Sequence, residues 1–176
     1  DDPTHLRFDL ITWGGAVTIL FSLFDMLDGQ VARLGKMESR FGALYDSVLD
    51  RYCELLTLGA LSYFLIMAGY PIGALITFAA LVGSVMVSYV RARAEGVGIE
   101  CKVGFMQRPE RVVVTSIGCL ACGITGLASP NTPHAAMMIL IIAMTIIAVF
   151  ANITAFARVG VCRATLSAAD KKDNRK

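Results

Sequence analysis

Four aspartates define the chemistry open to this chain. Asp25 and Asp28 stand three residues apart, and Asp46 and Asp50 four apart. They lie in the stretch Asp25-Met26-Leu27-Asp28-Gly29-Gln30-Val31-Ala32-Arg33, eight residues, then Gly42-Ala43-Leu44-Tyr45-Asp46-Ser47-Val48-Leu49-Asp50. On a helix each pair shares a face, because residues three and four apart are neighbours. Ala32 continues the first face and Gly42 lies one turn before the second. A single aspartate of this kind reads as a helix cap or a solvated interfacial residue. Four at such spacings read as one constellation. An unpaired Asp at the centre of a membrane costs roughly 2.5–3.5 kcal/mol, so a converging quartet needs compensation that Arg33 alone does not provide. Divalent cations supply it, and hard oxygen donors select Mg²⁺, Mn²⁺ or Ca²⁺. Two such ions bridged by carboxylates form the clamp used in phosphoryl transfer, where they hold the attacking and leaving oxygens.

The interleaved small residues add a second requirement. Gly29, Ala32 and Gly42 clear a shelf where a flat, bulky ligand can approach the backbone, and Arg33 beside them suits a phosphate or pyrophosphate.

The elements that must position these groups are helices in a membrane. The chain has 176 residues, the length of one domain, with 56% hydrophobic and only 17% charged residues. A soluble domain carries about 25% charged residues, so the composition excludes a disordered chain, a disulfide scaffold and an ordinary soluble enzyme. Residues 55–90 and 112–157 contain no Asp, Glu, Lys or Arg, and neither does Leu10–Phe24. A spanning helix needs about 20 apolar residues. The breakers Gly69-Tyr70-Pro71 and Ser129-Pro130-Asn131-Thr132-Pro133 divide the two long stretches. The expectation is an all-α, polytopic transmembrane bundle, one domain over 1–176. Its five helices fall at roughly 9–34, 41–69, 72–95, 108–129 and 135–158, followed by a polar tail over 164–176. The link between the first two contains Gly35, so an antiparallel hairpin would bring the two acidic faces together. Fifteen of the sixteen Lys and Arg residues fall on one side of this arrangement, Arg7 being the exception. By the positive-inside rule that side, which carries the aspartates, faces the cytoplasm of a cell membrane.

The spacing Asp28-Gly29-x2-Ala32-Arg33-x8-Gly42-x3-Asp46-x3-Asp50, with Asp25 upstream, resembles the signature of the CDP-alcohol phosphotransferases. The resemblance covers nearly the whole chain and implies integral-membrane transfer of a phospholipid moiety from a CDP-linked donor, here CDP-diacylglycerol, to an alcohol, releasing CMP. It implies that Asp25, Asp28, Asp46 and Asp50 hold two divalent metals, Mg²⁺ or Mn²⁺, and that Asp50 is also the general base. Asp28, Gly29, Ala32, Arg33 and Gly42 would line the CDP site. It further implies a homodimer and a six-helix bundle, so one more helix is expected upstream of Asp1.

The acceptor is read from a second polar cluster at the same membrane face. Tyr89-Val90-Arg91-Ala92-Arg93-Ala94-Glu95 closes the third helix, Gln107-Arg108-Pro109-Glu110-Arg111 opens the fourth, and Arg158 and Arg163 close the last. Such arginines also serve as anchors that snorkel to lipid phosphates. Arg91, Arg108 and Arg158, at equivalent depth on three helices, are expected to share an anionic pocket. Several arginines on one cavity suit a phosphorylated acceptor. The cluster resembles the branch of the family that makes phosphatidylinositol phosphate, in which these positions bind the phosphate of inositol phosphate. Glycerol 3-phosphate is the rival acceptor. Readings from other classes are a divalent-cation transporter and an inactive accessory membrane subunit. No nucleic-acid partner is expected.

Cys119-Leu120-Ala121-Cys122 has redox-motif spacing, but it falls mid-helix among apolar residues and is expected to pack rather than react. Small residues including Gly14, Gly15, Gly59, Gly83, Gly118, Gly123 and Gly126 suit close helix contacts.

Overall fold

A computed structural model of the chain contains five helices and, among the described residues, no strand: α1 (Phe8–Leu34), α2 (Arg40–Met67), α3 (Pro71–Gly96), α4 (Arg108–Ala128) and α5 (Pro133–Asp173). The structure describes residues 6–34, 39–129 and 132–173, of which 25, 26, 28–34, 169, 170, 172 and 173 are described by backbone alone. Helix starts follow local chemistry. Ser39 caps α2, its Oγ accepting the Gly42 amide at 2.9 Å. Pro occupies the first turn of α3 and α4 and opens α5, where its missing N–H is no loss. Gly69 turns the chain between α2 and α3 at φ 82°, a left-handed conformation that glycine adopts without a Cβ clash.

Four helix limits match the sequence reading to within about two residues. The fifth does not. The apolar pattern of α5 stops at Arg158, yet the helix continues to Asp173, because polarity ends a membrane span and not a helix. Residues 159–173 contain no proline and run about 22 Å further at 1.5 Å per residue. Within the polar tail 164–176, the described part is therefore helical. α3, α4 and Pro133–Ala168 of α5 are long and apolar enough to cross a membrane, and Phe8–Phe24 forms a shorter apolar stretch in α1. α2 carries its charges in its first half and is apolar from Leu55 onward.

The packing order is α1–α4–α5–α3–α2 and not the chain order. α1 packs chiefly on α4 and α2 chiefly on α3, and α1 and α2 face one another across a cleft that α4 also lines. The α1–α4 seam is close because its glycines leave room: a Cβ on Gly15 would lie 2.9 Å from the Cβ of Cys119 and 3.0 Å from the carbonyl oxygen of Ser116. Gly123 and Gly126 sit against Thr12 and Phe8 in the same seam, whereas Gly14 and Gly59 face open space. The core is a band of Leu61, Leu65, Val87, Met137, Leu140, Met144 and Ile147, with Cys119 and Cys122 packed into it as free thiols. Leu75, Phe78, Ile142 and Ile153 are exposed on the outside, as lipid-facing residues are. At the end far from the aspartates, Tyr70 Oη and His134 Nδ1 share a hydrogen bond that ties the start of α3 to that of α5.

Candidate functional site

α2 and α4 are joined by two ion pairs one turn apart. On α2, Asp46, Asp50 and Glu54 follow at intervals of four and share a face. On α4, Arg108 and Arg111 are three apart. Arg108 Nη2 contacts Asp50 Oδ1. Arg111 donates from Nε to Glu54 Oε1 at 2.6 Å and from Nη2 to Oε2 at 3.1 Å, while its Nη1 donates to the Met106 carbonyl at 3.1 Å. The inner pair is buried, Arg111 being 2% exposed; the outer is open on the arginine side, where the Arg108 side chain is 33% exposed.

Two clefts meet at this ladder. The first, about 500 Å³, lies between α1, α2 and α4; its walls include Val17, Phe21, Leu49, Leu56 and Val112, with Asp46, Asp50, Arg108 and Arg111 also lining it. The second, about 660 Å³, is lined from α2, α3, α4 and α5 and holds five arginines: Arg51, Arg91, Arg108, Arg111 and Arg158. Arg108 and Arg111 belong to both, so they form the shared wall between a mostly apolar cleft and a cationic one.

The structure thus gathers Asp46 with Asp50 in one cleft and Arg91, Arg108 and Arg158 in the other. Their environments differ. Arg91 Nε donates to Glu95 at 2.9 Å, and both side chains are exposed. Arg158 is 2% exposed and gives Nε to the Val103 carbonyl at 2.8 Å and Nη1 to the Val87 carbonyl at 2.7 Å. It staples the α3–α4 loop to two helices as well as lining the cleft. The same loop is held by Met106, whose amide donates to Thr154 Oγ1 at 3.3 Å, and by Gly104, whose φ of 113° and contact with Thr154 leave no place for a Cβ. Further out in the loop, Lys102 lies 2.5 Å from Glu100; this hydrogen bond, helped by its charge, holds the Glu100 carboxyl below its usual range. Gly42 sits exposed in the first turn of α2. Asp25, Asp28, Gly29, Ala32 and Arg33 lie on the helical backbone of α1, but their side chains are outside the described residues, and so is the meeting of the two acidic faces.

Glu54, Arg111 and Arg51 are cleft residues that the sequence reading did not single out. A signal was present. Glu54 continues the four-residue spacing of Asp46 and Asp50, and Arg111 lies one turn from Arg108, so both repeat a face already marked as polar.

Asp46 and Asp50 offer hard carboxylate oxygens one turn apart in one cleft, the donor chemistry that Mg²⁺ and Mn²⁺ take. Among the described residues no group of three acidic, histidine or cysteine side chains is close enough to hold a metal by itself. Asp46 and Asp50 fit part of the donor set such an ion takes.

The sequence profile for CDP-alcohol phosphatidyltransferases matches residues 6–162. The chain belongs to this family. Within the CDP-alcohol phosphatidyltransferases, the phosphatidylinositol phosphate synthase of Corynebacterium glutamicum is 36% identical over 122 residues, covering 68% of this chain and 54% of that protein. The archaetidylinositol phosphate synthase of Methanothermobacter thermautotrophicus is 43% identical over 113 residues, 64% of this chain and 54% of that protein. The chain therefore spans little more than half the length of these two relatives. The crystal structure of Mycobacterium tuberculosis phosphatidylinositol phosphate synthase with CDP-DAG bound aligns with a TM-score of 0.74 at 30% identity, covering 89% of this chain and 77% of that one. The structure of that enzyme in complex with manganese and citrate aligns at 0.75 and 31% identity, covering 89% and 74%.

Proposed function

We propose that this chain transfers the phosphatidyl group of CDP-diacylglycerol to a phosphorylated alcohol, inositol phosphate, and releases CMP. The observation that carries the reading is the shared wall of the two clefts. A mostly apolar cleft ending in Asp46 and Asp50 suits a lipid-linked pyrophosphate, and the adjoining cleft with five arginines suits a phosphorylated acceptor. The CDP-DAG-bound and manganese-bound relatives support the donor half, and the relatives named phosphatidylinositol phosphate synthase and archaetidylinositol phosphate synthase support the acceptor.

In this reading Asp25, Asp28, Asp46 and Asp50 hold two divalent cations, Mg²⁺ or Mn²⁺, which when bound neutralise the pyrophosphate and the departing CMP. Gly29, Ala32, Arg33 and Gly42 line the cytidine diphosphate. Asp50 accepts the proton of the acceptor hydroxyl. The hydroxyl oxygen forms a bond to the lipid-side phosphorus as the phosphorus–oxygen bond to CMP breaks. Arg108 and Arg91 bind the acceptor phosphate by charge-assisted hydrogen bonds. Arg158 fixes the α3–α4 loop through the Val103 carbonyl and adds its own charge to the cationic cleft. The protein works in a cell membrane with these groups at the cytoplasmic face, as a homodimer.

The test uses the purified protein in lipid with CDP-diacylglycerol and Mg²⁺, scoring CMP release with inositol phosphate, glycerol 3-phosphate, inositol and serine in turn. Release with inositol phosphate well above the other three is the expected result. Equal release with neutral inositol would remove the acceptor role of the arginines, and a preference for glycerol 3-phosphate would reassign the acceptor.

A further inference from the structure

The inner rung of the α2–α4 ladder has no part in the chemistry just described, yet it is the most completely satisfied polar contact in the site. Glu54 lies one turn beyond Asp50 on the same face of α2, and Arg111 one turn beyond Arg108 on α4. Arg111 commits Nε and Nη2 to the two Glu54 oxygens and Nη1 to the Met106 carbonyl, and the residue is 2% exposed. Lining a cleft, it is nevertheless bound to protein on all three nitrogens. We infer that Glu54 is a positioning residue. Through Arg111 it sets the register of α2 against α4, and so places Asp50 beside Arg108 at the wall between the two clefts. The inference rests on the proposed role of Asp50.

The physical case is one of geometry and not of stability. A two-point carboxylate–guanidinium contact fixes both distance and rotation, which a single-point contact does not. α2 packs chiefly on α3, and α4 on α1 and α5, so the two rungs, Asp50–Arg108 and Glu54–Arg111, are the side-chain ties described between α2 and α4. The tie to Met106 extends the control to the α3–α4 loop, whose Val103 carbonyl receives Arg158. A buried ion pair of this kind is replaceable by apolar residues of similar volume without loss of stability. What the replacement loses is the directed contact.

That contrast supplies the test. Glu54→Met/Arg111→Met is compared with the wild type and with Glu54→Gln in the CMP-release assay, measuring kcat, the KM for inositol phosphate and the melting temperature in detergent. The double variant, which also leaves the Met106 carbonyl without its donor, is expected to stay folded and to melt above Glu54→Gln, with kcat reduced about 10²-fold, the loss typical of misplacing a reacting group by about 1 Å. Its KM for the acceptor is expected to change less than about threefold, since Arg111 is committed to protein. Glu54→Gln leaves the Arg111 charge unmatched and is expected to lower both kcat and the melting temperature. A folded double variant with wild-type kcat would overturn the inference, as would a rise in KM with kcat unchanged. Wild-type protein that releases no CMP with any phosphorylated acceptor would instead overturn the proposed function, and this dependence with it.

Discussion

Arg108 on α4 meets the Asp50 carboxylate on α2, joining a residue of the cationic cleft to one of the mostly apolar cleft. This contact puts the proposed base within reach of whatever phosphate Arg108 binds. Asp50→Asn keeps the size of the side chain and removes its capacity to take a proton. CMP release is expected to fall by roughly 10²–10⁴-fold, the usual contribution of a general base, with the protein still folded. Unchanged turnover in steady-state assays would remove Asp50 from that role.

Arg108→Gln removes a charge from the cationic cleft, the proposed acceptor site, without leaving a buried guanidinium unmatched. The expected effect is a KM for inositol phosphate raised about tenfold or more, the weight of one charge-assisted contact. Activity with neutral inositol should move much less. Titrating both acceptors against the variant separates the two outcomes; parallel losses would mean that Arg108 acts only on Asp50.

Removal of divalent cations should abolish release altogether. Excess EDTA is expected to bring CMP production to background, and Mg²⁺ or Mn²⁺ in excess of chelator to restore it, while Ca²⁺, with its looser coordination, restores less. Asp46→Asn should raise the Mg²⁺ concentration needed for half-maximal rate. Rates indifferent to EDTA would separate the aspartates from metal chemistry.

Arg158 predicts a stability effect. Its guanidinium serves the carbonyls of Val87 and Val103 from a buried position. Arg158→Met leaves both acceptors without that donor, at about 1–3 kcal/mol each, and frees the α3–α4 loop. A clear drop in melting temperature in detergent is expected, together with weaker acceptor binding. If the variant melted like the wild type, Arg158 would be a ligand only and not also a staple.

Adjacent glycines on α1 should respond in opposite directions. Gly14 faces open space, so Gly14→Ala is expected to stabilise by up to about 1 kcal/mol through helix propensity. A Cβ at Gly15 meets the α4 backbone at 3.0 Å, so Gly15→Ala should cost about 1–3 kcal/mol of overpacking. Melting curves of the two single variants in one detergent decide the matter.

The helices were legible in the sequence because a bilayer penalises charge so heavily that uncharged stretches and their breakers mark each span. The acidic signature was legible for a related reason: residues at intervals of three and four lie on one helix face whatever the fold around them. Both are local properties of the chain. Glu54 and Arg111, 57 positions apart, carry no local sign of each other, and their pairing depends on α2 reaching α4 out of the chain order. The same holds for Arg158, whose charge at the end of a span reads as an anchor or a phosphate ligand until the fold brings two backbone carbonyls to it. Residue types and spacings determined which groups exist and which face each occupies. Only tertiary packing decided which of them are matched to one another, because partner choice depends on distances that no periodicity encodes.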